Sequence, residues 1–429
     1  MIRISAVISN AQGKVSEWPL YEMAGRSGDL FRAPDESELI LMPKDAEFSF
    51  LPDRIPVLYD STAKKWEVLN SSHNTLTAAV ILPIGYLRTL LPSYAPVKNG
   101  FLPQWAYTAL GVREGRWTTA AIQIEKTDQK WNSPHYNTPG LEKLTQKKLE
   151  LSPDNRIFKQ LALCANDYHC NTAQNIFYHR WEGALPVSPA CNAQCVGCIS
   201  LQPEGLTPSS HERITFRPTR DEILEVALFH LDSGEDAIIS FGQGCEGEPL
   251  LAGADIENSV RAIRARIDSG TLNLNTNASR PHVLKKICEA GLNTLRISLN
   301  STLKKTYESY YLPKGYVFED VVESAKIAHD HELGVSINLL TFPGVTDREE
   351  EIEGLIEFIH ETKIDAIQWR NLAIDPDQYL EAIPKREGNI LGIPQLIDLL
   401  KQEFPLLHHL SYSRPKEFFH PCASHRVQG

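Results

Sequence analysis

From Ala184 onward the chain alternates short apolar runs with amphipathic helical stretches, and this alternation constrains its fold more than any other feature. Strand-like runs fall near Leu185–Val187, Ala237–Phe241, Leu272–Asn275, Leu295–Leu299, Val335–Leu340 and Ala366–Trp369. Thr219-x-x-Glu222 and Thr346-x-x-Glu349 read as capping boxes that open two of the intervening helices. Ile223, Ala227 and Leu231 share one face of the first, and Ile352, Leu355, Ile356 and Ile359 one face of the other. Six strand–helix units in succession predict an α/β fold with a parallel sheet covered by helices.

The core defined in this way spans residues 184–375. Residues 1–137 read as an N-terminal module, β-rich at least to about residue 69 through runs such as ELILMP, EFSFLP and RIPVLYD. Residues 138–183 form a helical connection, LEKLTQKKLEL followed by SPDNRIFKQLALCA, with Ser152 as an N-cap and Ile157, Leu161 and Cys164 at helical spacing. Residues 376–429 are a short C-terminal extension with one helix, IPQLIDLLKQEF, and a histidine-rich end. A hydrophobic content of 42% with 23% charged residues suits folded domains, and a net charge of −11 argues against nucleic acid as a partner. The apolar stretch from Ala78 to Leu87 is too short to cross a bilayer and the N-terminus has no basic, apolar leader, so a cytoplasmic protein without a membrane partner is expected.

Eight cysteines in such a protein point to metal binding or catalysis. CNAQCVGC sets Cys191, Cys195 and Cys198 at C-x3-C-x2-C spacing in the loop after the first strand of the series. Three thiolates can hold three irons of a [4Fe-4S] cube and leave the fourth open, whereas electron-transfer clusters normally use four protein ligands. A structural zinc knuckle or a redox thiol pair shares this kind of spacing.

Several strands alternate polar with apolar residues, unlike the continuous apolar runs of a buried parallel sheet. If the apolar set faces the helices, then Asn273, Asn275, Asn277, Arg296, Ser298, Asn300, Ser336, Asn338, Gln368 and Arg370 line the interior. So many polar groups require a bound polar ligand or water, and ligands of such barrels sit at the carboxyl ends of the strands.

In these features the chain resembles the radical S-adenosylmethionine (SAM) superfamily, whose signature is C-x3-C-x2-C after the first strand of a partial (β/α)6, TIM-like barrel. The resemblance covers about residues 184–375. It implies a [4Fe-4S] cluster on Cys191, Cys195 and Cys198 that cleaves SAM reductively to a 5′-deoxyadenosyl radical acting on an unidentified substrate. It implies a reductant such as flavodoxin or ferredoxin as partner. The family's Gly-Gly-Glu-like motif matches SFGQGCEGEPLL, which implies SAM contacts from Gly247 and Glu248. The stretches NTNAS, SLNS and WRNLA imply further SAM contacts from Asn277, Ser298, Asn300 and Arg370. The residue before the third cysteine, often aromatic in the family, is Gly197 here, so adenine packing must come from elsewhere.

Cys288 lies beside Leu284 and Ile287 on an apolar face and reads as core. Cys164, Cys170, Cys245 and Cys422 are enough for an auxiliary cluster if the fold gathers them. Cys245 is also a candidate catalytic thiol, and Cys422 another, since some methyl-transferring relatives use a C-terminal thiol. His420 and His425 beside Cys422 permit a metal site. The competing class is a nonenzymatic iron-sulfur electron carrier or scaffold, which has no need of SAM contacts or a polar cavity.

Overall fold

The computed structural model describes residues 3–69, 75–97, 100–125, 129–203, 207–232 and 234–419. Its centre is a parallel sheet whose strands neighbour one another in chain order: Arg180–Leu185, Glu235–Phe241, Thr271–Thr276, Thr294–Leu299, Gly334–Thr341, Ala366–Asn371 and His408–Leu410. Consecutive strands joined by helical crossovers give this order, and the curled sheet with its outer helices is the partial (β/α)6, TIM-like barrel expected. Helices Arg220–Leu231, Gly253–Arg264, Pro281–Ala290, Phe318–Asp330 and Glu349–Thr362 cover its outer face, where Ile239, Leu274, Ile297, Ile337 and Ile367 belong to one continuous core.

The capping box at Thr219 forms as expected, its hydroxyl accepting from the N–H of Glu222. The one at Thr346 does not. That helix starts after Arg348, and the Thr346 hydroxyl instead accepts from the N–H of Phe342. Ser152 likewise closes the helix Leu141–Leu151, while the next helix, Arg156–Asn166, is capped by Asn155, whose side chain accepts from the N–H groups of Ile157 and Phe158. The first barrel strand ends at Leu185, where the sequence reading began it, because Glu182 is a buried charge satisfied inside the barrel.

One buried group on the outer layer gives the fold a pH signature. His230 is fully buried and donates through Nε2 to the carbonyl of Trp181 at 2.7 Å. Burial disfavours its charged form and lowers its pKa to about 4. The unfolded chain therefore binds the extra proton first, so the stability this residue carries is complete above about pH 6.5 and is lost as pH falls toward 4. At roughly 1.4 kcal/mol per pH unit between the two states, the loss is about 3 kcal/mol. Urea unfolding of wild type and His230→Gln at pH 7 and pH 4.5 checks this, and equal losses in both proteins would exclude His230 as the source.

Strands continue past residue 69 to Gln123, forming a 12-stranded antiparallel sheet and a separate three-stranded one. This N-terminal module sits against the loops after the fifth and sixth barrel strands. Arg88 is fully buried and donates to the carbonyls of Leu372 at 2.6 Å and Tyr107 at 3.2 Å. Arg54 pairs with the buried Asp375 at 3.2 Å, Arg26 pairs with Asp377 at 2.6 Å, and the N–H of Gly28 reaches the carbonyl of Pro343. The C-terminal extension adds the seventh strand and the helix Ile393–Glu403, then passes Ser413 beneath the barrel. Among the described residues, no helix is long and apolar enough to cross a membrane.

Candidate cluster and cofactor site

At the carboxyl ends of the barrel strands lies a cavity of about 470 Å³, within the range of sites for small molecules and cofactors. Cys191, Cys195 and Cys198 all line it. Their loop is held from outside by backbone bonds, with Gln194 and Val196 donating to the carbonyls of Tyr311 and Tyr310 at 3.0 and 2.9 Å. Burial raises the Cys191 thiol, and burial together with the two neighbouring thiols raises Cys195 well above its ordinary value. Bare thiolates crowded here repel one another, and bound iron would relieve that by replacing their protons. Arg213 lies beside the group, donating to the Cys198 sulfur at 3.6 Å and to Ser200 at 3.1 Å.

The described residues hold no three His, Cys, Asp or Glu side chains placed to share a single metal ion. The three motif cysteines share one cavity. Their number, their common cavity and the polar surface beside them fit a [4Fe-4S] cluster with one open iron.

The loop after the second strand packs directly on the cysteine loop. The N–H groups of Gly247 and Glu248 donate to the carbonyls of Ser188 and Ala190 at 2.7 and 2.8 Å, and a Cβ on Gly247 would collide with the Ala190 carbonyl. Glu248 lines the cavity, yet its carboxylate is occupied by the protein: it accepts from the N–H of Leu250 at 2.9 Å, the N–H of Asn277 at 2.8 Å and the Thr276 hydroxyl. Burial, opposed by these donors, raises it to about 7. Sequence reasoning missed Glu246. Its carboxylate accepts four backbone N–H bonds, from Val187, Ser188, Gly242 and Gln243, at 2.7–2.8 Å, and so ties the ends of the first two strands together.

Of the predicted interior set, Asn275, Asn277, Arg296, Ser298, Asn338 and Arg370 line the cavity. Asn273 bonds to Ser240, Asn275 and Thr294, and Gln368 accepts from Arg296, so these two belong to the barrel's internal network. Asn277 also bonds to Asn192 at 2.9 Å. Asn300 is absent from the cavity lining; it is buried and donates to the Tyr379 hydroxyl at 3.1 Å. Its place after the strand end turns it into the helix-side core.

Gly197 has a partner that the sequence did not reveal. A Cβ there would meet the Tyr310 hydroxyl at 2.8 Å, and Tyr310 and Tyr311, from the helix Lys304–Tyr311, supply the aromatic wall of the cavity. Nothing in the pattern KKTYESYY marks it, because the helix lies far along the chain from the cysteine loop.

Cys245 is buried and absent from the cavity lining, with the thiols of Cys164 and Cys170 as neighbours. Cys288 is buried on its helix as expected. Cys422, His420 and His425, the remaining candidates for an auxiliary cluster, a catalytic thiol or a metal site, lie outside the described residues.

Comparison with known proteins agrees with this geometry. Residues 185–359 match the model of the Radical SAM superfamily. Similar curated proteins are Molybdenum cofactor biosynthesis protein 1 of Mus musculus, 24% identical over 235 residues (53% of this chain and 33% of that protein), and GTP 3′,8-cyclase of Campylobacter fetus subsp. fetus (strain 82-40), 29% identical over 169 residues (38% of this chain and 48% of that protein). The chain thus spans a third to a half of the length of these relatives. Among solved structures, Streptococcus suis SuiB bound to S-adenosylmethionine aligns over 74% of this chain and 72% of that one, with 14% identity and a TM-score of 0.39. The matched residues begin at the end of the strand that carries the cysteine loop and take in most of the barrel, so over residues 185–359 the chain is similar to the radical SAM superfamily.

Proposed function

We propose that the protein is a radical SAM enzyme in which Cys191, Cys195 and Cys198 hold the [4Fe-4S] cluster and the cavity beside them takes SAM and a substrate. The observation that carries this reading is the opening of all three thiols into one cavity walled by the Gly247–Glu248 loop and lined by Asn275, Asn277 and Ser298. When bound and reduced, cluster and SAM supply a 5′-deoxyadenosyl radical able to abstract hydrogen. The chain's own residues do the rest. The Gly247 and Glu248 backbone packs beneath the cofactor space, Asn277 offers a polar contact, and Tyr310 offers a ring face for adenine in place of the side chain missing at Gly197. A small reductant of the flavodoxin or ferredoxin kind would deliver the electron, in the cytoplasm.

Anaerobic reconstitution with iron and sulfide, followed by dithionite and SAM, tests this. The expected products are 5′-deoxyadenosine and methionine. A stable cluster without SAM cleavage would instead favour an electron carrier or scaffold.

A further inference from the structure

Charges inside the barrel do not balance. On its floor Arg296 pairs with Glu182 at 3.1 Å and also bonds to Gln368 at 3.0 Å and Ser413 at 2.5 Å. Burial opposes ionisation of Glu182, but Arg296, Ser413 and Ser240 outweigh it and hold the carboxyl below its usual range. One acid and one base are matched there. Glu125 is taken by Arg414 at 2.5 Å and by the N–H of Ser411 at 2.6 Å.

Arg370 is left over. It stands one layer above Gln368 on the sixth strand, in register with Leu340, and its side chain lines the cavity. Among the described residues its side chain has no hydrogen bond or ion pair. Burial, with Arg296 acting in the same sense, lowers its pKa only to about 10, so it is charged at neutral pH.

Beside it lies a second, independent vacancy in the hydrogen-bonding pattern. Asn338, in register with Ser298 on one side and Gln368 on the other, has a buried Oδ1 with no partner, and its amide nitrogen makes no bond among the described residues. Ser298 also lines the cavity without a hydrogen bond. A desolvated guanidinium is costly unless an anion meets it, and its planar donors match carboxylate or phosphate. In the proposed function SAM would bind beside the cluster thiols. The thiols there have Arg213 as the cation acting on them, whereas the groups acting most strongly on Arg370 are Arg296, Glu182, Tyr412 and Glu125.

We propose that Arg370, with Asn338 and Ser298, binds an anionic group, carboxylate or phosphate, of the substrate. Assigning that anion to the substrate and not the cofactor rests on the radical SAM reading; the anion site itself does not.

The test is isothermal titration of the reconstituted holoenzyme with pyrophosphate and with malonate at fixed ionic strength, with and without SAM. Saturable binding of either is expected in the presence of SAM, and the preferred one names the class. Arg370→Gln should weaken it about 10- to 100-fold with SAM affinity unchanged. Asn338→Asp, which places a carboxylate beside Arg370 in the same volume, should abolish it by satisfying the arginine internally, and serves if Arg370→Gln does not fold. Absence of saturable binding to wild type would overturn the proposal, as would SAM affinity falling in parallel with oxyanion affinity in Arg370→Gln. A protein that binds the oxyanion through Arg370 but never cleaves SAM keeps this site and loses only the functional reading.

Discussion

Cys195→Ala is expected to lower the iron content of the reconstituted protein from about four per chain to near zero and to bring 5′-deoxyadenosine formation down to background. Three thiols ligate three irons and leave one open, and with only two the cube is expected to be lost to added chelator. The fold should survive. The loop is anchored by the Gln194 and Val196 backbone bonds to Tyr311 and Tyr310, and neither uses the cysteine side chain. Circular dichroism melting within a few degrees of apo wild type, together with iron and sulfide analysis, separates loss of cluster from loss of fold. Retention of about four irons in this variant would show that the cluster lies elsewhere.

Glu246→Ala should be the most damaging single change to the barrel. It leaves four backbone N–H groups unpaired at the ends of the first two strands. At roughly 1–3 kcal/mol for each buried donor left without an acceptor, the loss is on the order of 5 kcal/mol or more. That is comparable with the whole stability of many domains. Glu246→Gln keeps one acceptor oxygen and turns an amide toward the other two donors, so a loss of about half is expected. Chemical unfolding of the three proteins decides the matter: a Glu246→Ala midpoint close to wild type would mean that water replaces the carboxylate without cost.

The barrel was legible because its strands alternate with helices at regular spacing, and because CNAQCVGC stands in a loop whose position is fixed by the strand before it. The interior polar set was legible through its period of two, as Asn275, Ser298, Asn338 and Arg370 on one cavity show. What escaped depends on partners distant in sequence. Glu182 broke the apolar run of the first strand because Arg296, more than a hundred residues on, makes it a buried charge. Glu246 read as one acid in CEGEPLL, since backbone donors leave no mark in a sequence. Thr346 looked like a cap, but its hydroxyl was already committed to Phe342. Strands between residues 75 and 123 were hidden by Pro, Gly and aromatic residues that suit short antiparallel segments.

The seating of Arg88 has a consequence for how the molecule is made. Its acceptor, Leu372, lies 284 positions later, and the Arg54 partner Asp375 is 321 positions away. A ribosome therefore releases the N-terminal module long before the surface that buries these arginines exists. Until then they remain hydrated, which helps the module to stay soluble while it waits. The seam between module and barrel therefore forms late in synthesis, once the sixth strand and the loop after it have emerged.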